Sequence, residues 1–426
     1  MTQIFKFPRD FLWGAATSSH QVEGDNRNND WWQWETEGRV KHLSGRACDH
    51  YRLFKDDFKL AKELKHNAHR FSVEWSRIEP QEGVFDESAL AHYAEVVSSL
   101  KSLNIEPVIT LNHFTLPLWF YRKGGWLSKA SDKRFASFAD RTVRAIGHNV
   151  KYWLTINEPA VYAHASYLQG IWPPGHRSFR QAGDILIRLA KAHSLAYETI
   201  HSVYNDLGWT KPRVGMAKNI RLFLPYRERS IGDKIAVWLR NFYFNRFFIE
   251  SLLNGVCAAA GLPVVKLSCK RSLDFLGVNY YTRECIHSSK FVIDNPLGFE
   301  CEASDGLLCR SKSSLGWDIY PEGMCEALSE CASYGVPLMV TENGVSVEND
   351  AERTDFIKNN IKEVARAMQR GANVFGYLYW SLMDNFEWAY GYGPRFGLIE
   401  VDYKSQRRTI RPSGYAYADI ITNNAV

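Results

Sequence analysis

Short runs of apolar and β-branched residues recur along the chain, and segments with helical periodicity separate them. Eight such runs lie at residues 11–15, 69–73, 107–111, 152–156, 213–217, 275–279, 338–341 and 375–380. Between them, segments 51–65, 90–103 and 355–370 place apolar residues three and four positions apart, as one face of an amphipathic helix requires. This alternation predicts βαβ units and a parallel sheet.

The number of strands predicts the architecture of that sheet. Eight parallel strands favour closure, so the expected fold class is α/β, a single (β/α)8 TIM barrel with elaborated loops at the C-terminal face of the strands. No linker rich in Pro, Gly or Ser divides the chain, and residues 1–426 are predicted to form one domain. The irregular stretch 284–315 is expected to be a loop excursion after the sixth strand.

Two of the predicted strands end in a glutamate. Residues 153–157 lead into Glu158, and residues 338–341 lead into Glu342. Barrel enzymes keep their chemistry at strand C-termini, so two carboxyl groups there indicate acid and base catalysis. Either glutamate alone has a simpler explanation, as a helix cap or a member of a surface ion pair. The amides that accompany them, Asn157 and Asn343, favour the catalytic interpretation.

Composition and charge narrow the range of functions. The chain has 426 residues, 45% hydrophobic and 23% charged, which is ordinary for a globular protein with a large core. Its net charge of +5 comes from Lys and Arg spread along the chain, so nucleic-acid binding is not indicated. No signal segment and no apolar run of membrane-spanning length is seen, which predicts a cytoplasmic protein without membrane contact. The high aromatic fraction, 14%, suits a large core and also a sugar-binding cleft.

The eight cysteines show neither metal-site spacing nor a redox motif. They form no Cys-x-x-Cys pair and have no histidine nearby at zinc-ligand spacing, so reduced thiols are expected, and no metal or cofactor is predicted. One alternative stays open, because Cys301 and Cys309 could approach across a loop and form a structural disulfide. No pattern in the sequence indicates an oligomeric state.

Eight segments spread over the whole chain carry distinctive combinations of aromatic, acidic and amide residues. In order, they are FLWGAATSSHQVEG at 11–24, ACDHY at 47–51, HRFSVEWSRI at 69–78, TLNHF at 110–114, TINEP at 155–159, DFLGVNYYTR at 274–283, TENG at 341–344 and YWSLMDNFEWAYGYGPRFGL at 379–398. Together they resemble the β-glycosidases of glycoside hydrolase family 1. The resemblance implies a (β/α)8 barrel with the acid/base on the fourth strand and the nucleophile on the seventh.

The resemblance also implies roles around the two glutamates. Glu158 would protonate the leaving oxygen and Glu342 would attack the anomeric carbon, with the two carboxyl groups about 5 to 5.5 Å apart in a retaining enzyme. Arg70 and Tyr281 would hold Glu342 ionised, and its negative charge would keep Glu158 protonated. The residue before a proline is biased to extended conformations, so Pro159 predicts an extended Glu158.

The sugar-binding residues are implied in the same way. The Asn157 amide would contact the sugar 2-hydroxyl, where hydrogen bonding strengthens in the transition state. The remaining contacts would come from Gln21, His113, Asn279, Trp380, Glu387, Trp388 and Phe396. Trp32 and Trp172 either line the aglycone side of the pocket or serve as packing.

The chain departs from the family pattern at two places near that aglycone side. His20 stands in SSHQVEG where a Tyr is commoner, and Ala160 follows NEP where many members carry Trp. The preference for the leaving group is therefore left open by the sequence.

The predicted function is that of a retaining, exo-acting β-glycosidase that forms a covalent glycosyl-enzyme. Within that class we expect a β-glucosidase with β-galactosidase or β-fucosidase side activity. Its expected partners are β-linked glucosides or short β-oligosaccharides. A 6-phospho-β-glycosidase is disfavoured because the Glu387 carboxylate would repel the phosphate. A thioglucosidase is disfavoured because those enzymes have Gln in place of Glu158. The alternative from another class is a catalytically silent carbohydrate-binding protein on the same barrel.

Overall fold

A closed barrel of eight parallel strands forms the centre of the computed structural model, which describes residues 4–259, 261–288, 297–301 and 311–426. The strands are β1 (Leu12–Ala16), β2 (Ala68–Ser72), β3 (Glu106–Asn112), β4 (Tyr152–Asn157), β5 (Arg213–Asn219), β6 (Phe275–Asn279), β7 (Leu338–Glu342) and β8 (Val374–Trp380). Each strand pairs with the next, and β8 pairs with β1. The predicted barrel is confirmed, and every predicted strand overlaps an observed one.

Helices connect the strands and cover the outside of the barrel. The three predicted helical segments correspond to His50–Glu63, Glu87–Ser102 and Asp350–Gln369. The other α-helices are Ser19–Val22, Asp30–Thr36, Trp75–Ile78, Leu118–Arg122, Ser131–Ile146, Pro159–Ala163, Phe179–Asp206, Ile231–Asn241, Phe247–Asn254, Glu322–Ala332 and Pro412–Asn423. Short 3-10 helices lie at Gly125–Leu127 and Trp388–Tyr390, and π-helical turns at His164–Gln169 and Phe242–Arg246. Within the described residues, no helix is long and apolar enough to cross a membrane.

The interior of the barrel is filled by side chains. One cluster of buried residues collects contributions from seven strands, and Leu12 of β1 packs against it; its members are Ala68, Val108, Tyr152, Leu154, Ala217, Phe275, Met339 and Leu378. A second and larger core lies between the strands and the surrounding helices. Because the interior is packed, it offers no space for a ligand, and the C-terminal ends of the strands are the expected place for one.

The segment after β6 differs from the expected loop. Its described part begins with a strand, Arg283–His287, which pairs in parallel with Leu222–Pro225 and antiparallel with Phe299–Glu300. The prediction of an irregular stretch was wrong there, because the sequence RECIH has no alternating apolar pattern and its partner lies about 60 residues earlier. The remaining short strands form two antiparallel pairs, Val256–Cys257 with Val265–Lys266 and Ile399–Val401 with Arg408–Ile410.

Five cysteines are free thiols in the structure: Cys48, Cys257, Cys269, Cys325 and Cys331. The disulfide considered between Cys301 and Cys309 lies partly outside the described residues, because Cys309 is not among them. In the described parts of the chain, no group of three or more His, Cys, Asp or Glu side chains is arranged to hold a metal ion.

Candidate active site

A cavity of about 110 Å³ lies at the C-terminal ends of the barrel strands and contains both glutamates. Ten of the fourteen predicted site residues line it: Gln21, His113, Glu158, Trp172, Tyr281, Glu342, Trp380, Glu387, Trp388 and Phe396. Three more, Arg70, Asn157 and Asn279, are buried directly behind these and bond to them. We call this cavity the sugar pocket.

Glu342 is the last residue of β7, and both of its carboxyl oxygens accept a hydrogen bond. Strand register places it opposite Asn279 of β6. Arg70 reaches across the barrel from β2 and donates from Nη1 to Oε1 at 2.5 Å. The Tyr281 hydroxyl donates to Oε2 at 2.6 Å. The carboxyl group is therefore fixed in one orientation, with a positive charge and a neutral donor on its two sides.

The protonation of Glu342 reflects opposing influences. Burial raises the pKa of Glu342 to about 7, and the neighbouring Glu158 also raises it, while Arg70 and the Tyr281 hydroxyl lower it. The expected contacts are present, but burial outweighs them, so the net shift is upward rather than downward. Glu342 is consequently ionised in most molecules only above pH 7.

Glu158 follows β4 at the turn from strand to helix. Its backbone has φ 45° and ψ 58°, a left-handed conformation, so the expectation of an extended residue was wrong. Its N–H still donates to the Ala217 carbonyl of β5 at 2.8 Å, which continues the sheet, and Pro159 already begins the helix Pro159–Ala163. A single left-handed residue makes this abrupt change of direction, and a following proline disfavours only the right-handed helical alternative.

Two amides hold the carboxyl group of Glu158. Asn219 of β5 and Asn279 of β6 each donate from Nδ2 to Oε1 at 2.9 Å. Asn279 was expected to bind sugar, but it lies behind the pocket with no exposed surface, and its Oδ1 accepts from the Thr341 hydroxyl at 2.6 Å. Asn219 was not predicted; the available indication was a polar residue at the end of a predicted strand.

Asn157 connects the two glutamates through hydrogen bonds. Its Oδ1 accepts from Arg70 Nη2 at 2.7 Å and from Asn279 Nδ2 at 3.1 Å. Its Nδ2 donates to Nε2 of His113 at 3.2 Å. Arg70, which bonds to Glu342, and Asn279, which bonds to Glu158, therefore meet on one amide oxygen.

His113 lines the sugar pocket as a neutral ring. Burial and the Arg70 charge lower the pKa of His113 well below its usual range, so the ring is neutral. Because Nε2 accepts from Asn157, the ring proton is on Nδ1. Nδ1 is buried and has no hydrogen-bond partner among the described residues.

Gln21 and Glu387 form a second polar group in the wall of the pocket. Gln21 Nε2 donates to Glu387 Oε2 at 3.1 Å, and Gln21 Oε1 accepts from the Ser18 hydroxyl at 2.7 Å. Burial and the negative charges of Glu342 and Glu158 raise the pKa of Glu387 to about 8, although hydrogen bonds from Gln21 and Trp380 oppose the rise. At pH 7 Glu387 is therefore mostly protonated.

This protonation changes the argument against phosphorylated substrates. The expected repulsion between Glu387 and a phosphate is small while the carboxyl group is neutral. The stronger argument is the scarcity of cations, because Arg221 is the one Lys or Arg among the described lining residues. Glu284 already forms an ion pair with the Arg221 guanidinium.

Aromatic rings form the remaining walls. Trp388 lies nearly parallel to His113, with ring centres 6.1 Å apart, and Trp172 packs 5.9 Å from Trp388. Trp380 is nearly parallel to His113 at 5.9 Å. Phe396 meets Tyr281 edge to face at 6.4 Å. These rings offer apolar faces suited to the C–H surfaces of a sugar ring.

Of the two residues predicted for the aglycone side, one lines the sugar pocket and the other does not. Trp172 lines the sugar pocket, but Trp32 does not; it lies 5.4 Å from the exposed Arg27 guanidinium, so it packs at the surface. His20 is buried behind Trp388, stacked at 5.8 Å and bonded to Glu35, and is not a lining residue. Ala160 lines a different and larger cavity beside the helix Pro159–Ala163.

Comparison with known proteins agrees with the geometry. The model of the family described as "Glycosyl hydrolase family 1" matches residues 3–426. A 1,4-beta-D-glucan glucohydrolase of Thermotoga neapolitana is 32% identical over 454 residues, covering 99% of each chain. A beta-galactosidase of Pyrococcus woesei is 32% identical over 498 residues, covering 99% of this chain and 98% of its own. The solved beta-glycosidase from Pyrococcus horikoshii superposes with a TM-score of 0.91 at 39% identity, covering 100% of this chain and 96% of its own. The chain belongs to glycosyl hydrolase family 1, whose enzymes hydrolyse O-glycosyl bonds.

Proposed function

We propose that the protein is a retaining, exo-acting β-glycosidase that prefers β-glucosides and short β-oligosaccharides and accepts β-galactosides and β-fucosides. One observation carries the proposal: Glu158 and Glu342 share one pocket, and both oxygens of Glu342 are held by donors. A fixed carboxylate beside a second carboxyl group is what a double displacement requires. The proposed reaction uses these two groups and water.

In the first step the ionised Glu342 attacks the anomeric carbon as the bond from that carbon to the leaving oxygen breaks. Glu158 gives its proton to this oxygen, so the aglycone leaves as a neutral alcohol. The products are a glycosyl ester on Glu342 and an ionised Glu158. Arg70 and Tyr281 position the attacking carboxylate, and Asn219 and Asn279 position the acid.

In the second step Glu158 acts as a base. Esterification has removed the negative charge of Glu342, and Glu158 is left ionised by the first step. Glu158 takes a proton from water as the water oxygen attacks the anomeric carbon, and the ester bond to Glu342 breaks. Two inversions at one carbon return the β configuration, and both glutamates recover their starting states.

The polar groups of the pocket support specificity for one terminal sugar. Gln21, His113 and Glu387 present donors and acceptors around a cavity of about 110 Å³, which suits a single glycosyl unit. Glucose and galactose differ in one hydroxyl, and the adjacent Gln21 amide and Glu387 carboxyl can bond to either orientation of it. The names of the relatives, one a glucan glucohydrolase and one a galactosidase, support the same breadth.

Proton NMR of the reaction with an aryl β-glucoside tests the proposal. We expect the β anomer of glucose to appear first and the α anomer only later, through mutarotation. Initial α-glucose would show inversion and contradict the double displacement. Absence of release from aryl β-glucoside and β-galactoside by the folded protein, together with binding of glucose, would favour the catalytically silent alternative.

Within this proposal residues 1–426 act as one catalytic domain in the cytoplasm. The free thiols support a reducing compartment. The Tyr417 hydroxyl of the helix Pro412–Asn423 donates to the Gly14 carbonyl of β1 at 3.0 Å, which supports a single unit. Cell fractionation tests the compartment, and a single cooperative unfolding transition tests the domain.

A further inference from the structure

A second cavity, of about 630 Å³, lies beside the helix Pro159–Ala163 and is far larger than the sugar pocket. The helices Pro159–Ala163, Phe179–Asp206 and Ile231–Asn241 contribute to its walls, together with the turn Phe242–Arg246. Its volume falls within the range of about 300–1,000 Å³ that accommodates drug-sized molecules. We call it the side cavity.

Small residues create the space in the side cavity. Ala160, Ala163, Ala182 and Gly183 all line it and are buried. Gly183 packs directly against Leu262, because a Cβ atom there would lie 2.2 Å from Cδ2 of that leucine. The three alanines and the glycine thus place little side-chain volume on this wall of the cavity.

The other walls of the side cavity are mainly apolar. Phe179, Leu186, Phe223, Leu239 and Leu262 present aliphatic and aromatic surface to it. Phe179 lies at the rim, where 56% of the residue is exposed to solvent. Apolar surface of this extent favours a ligand whose own surface is hydrocarbon.

The charged residues of the side cavity neutralise one another. Arg221 pairs with Glu284, and Arg240 contacts Glu284 at 3.3 Å and Glu300 at 3.0 Å. Apart from these, the remaining described cation is Arg180, which is exposed. Two guanidinium and two carboxylate groups leave no net charge on the inner wall, which favours a neutral ligand over an anion or a cation.

The side cavity and the sugar pocket share a wall. Arg221 lines both cavities. Val161 faces the sugar pocket, whereas the preceding residue, Ala160, faces the side cavity. Both follow closely after Glu158, the residue that gives its proton to the leaving oxygen in the proposed mechanism. A group attached to that oxygen therefore departs next to this shared wall.

We propose that the side cavity binds the aglycone of substrates whose leaving group is a neutral hydrocarbon body of about octyl size or larger, linear or cyclic. This inference rests on the proposed function, because it assigns the leaving group of that reaction. The sugar stays in the sugar pocket, and the hydrocarbon passes Arg221 into the space beside Ala160. Hydrophobic burial in this space stabilises the complex in proportion to chain length.

A homologous series of alkyl β-glucosides tests the inference. We would measure kcat/KM for the methyl, butyl, hexyl and octyl compounds below their micelle concentrations, with 4-nitrophenyl β-glucoside as reference. From butyl onward we expect kcat/KM to rise about threefold to fourfold per methylene, the value for complete burial. A flat series, with the nitrophenyl compound hydrolysed, would overturn the inference and leave the proposed function intact. If the nitrophenyl compound is not hydrolysed either, the proposed function fails.

Substitutions in the lining of the side cavity test whether the hydrocarbon binds there. Ala182→Phe fills the side cavity, and Phe179→Ser removes apolar surface at its exposed rim, where folding is not threatened. Both should lower the ratio of octyl to methyl kcat/KM, by about tenfold for Ala182→Phe and by severalfold for Phe179→Ser. Ala91→Phe, on the exposed surface of Glu87–Ser102, is the matched control and should keep the original ratio. An unchanged ratio in folded Phe179→Ser and Ala182→Phe would place the chain elsewhere and overturn the assignment.

Discussion

Gln21 donates a hydrogen bond to Glu387 across 3.1 Å, although 366 positions separate the two residues in the chain. The first follows β1 and the second follows β8, so closure of the barrel brings them together. The same closure buries the Glu387 carboxyl group near two other carboxyl groups and raises its pKa to about 8. Ionisation of Glu387 is therefore less favourable in the folded protein than in the unfolded chain.

Replacing Glu387 with Gln should stabilise the protein in alkali. The folded pKa of about 8 exceeds the unfolded value near 4.5, so the native state binds the extra proton and loses stability as pH rises between these values. At pH 9 we expect Glu387→Gln to raise the free energy of unfolding by at most about 5 kcal/mol, with little difference at pH 4. Denaturant unfolding at both pH values measures the difference in free energy of unfolding between the variant and the original protein. Glu400→Gln, at an exposed position, is the control; an equal effect at both pH values would contradict the explanation.

The acid limb of the pH–rate profile should report Glu342. Because the ionised form attacks, kcat/KM should rise with pH and reach half its maximum near pH 7. The Tyr281 hydroxyl lowers the pKa of Glu342, so Tyr281→Phe should move this limb to higher pH and reduce the plateau about tenfold. Tyr280→Phe is the matched control, because that hydroxyl donates to the Tyr320 carbonyl instead. If the acid limb of the Tyr281→Phe profile has the same midpoint pH as that of the original protein, a group other than Glu342 determines the limb.

The barrel could be predicted from sequence because each of its strands is a local apolar run. Parallel strands are covered on both faces, so hydrophobicity marks them without reference to their partners. The strand Arg283–His287 lacks such a run and forms only because the edge of Leu222–Pro225 is available to it. Its formation depends on a distant partner, which periodicity cannot reveal.

The candidate site could also be predicted in part. Glu158 and Glu342 were visible as acids at strand ends, and the resemblance supplied their neighbours. The raised pKa of Glu342 was not foreseeable, because it depends on how far closure of the barrel excludes water around the carboxyl group. The contact of Asn219 with Glu158 was missed for a related reason, since it depends on the direction of one side chain at the end of β5.

Asn219 should act as a positioning residue for the acid. Asn219→Ala removes one of the two amide donors to Glu158 and should lower kcat/KM for phenyl β-glucoside about 10- to 30-fold. For 2,4-dinitrophenyl β-glucoside, whose leaving group needs no proton, the loss should stay below about threefold. Steady-state rates with both substrates measure the contrast. Equal losses would indicate a general structural defect instead of a misplaced acid.

Removing Glu342 should abolish nucleophilic attack by the protein and leave protonation of the leaving oxygen by Glu158 in place. Glu342→Ala deletes the carboxylate that Arg70 and Tyr281 hold, so turnover of an aryl β-glucoside should fall by about 10⁴-fold or more. Azide is small enough to enter the vacated space and attack the same face of the sugar, while Glu158 still protonates the leaving oxygen. A single inversion then gives the α-glucosyl azide, which NMR identifies. Glu348→Ala, at a nearby exposed position, should keep full activity, and more than about a tenth of that activity in Glu342→Ala would exclude Glu342 as the nucleophile.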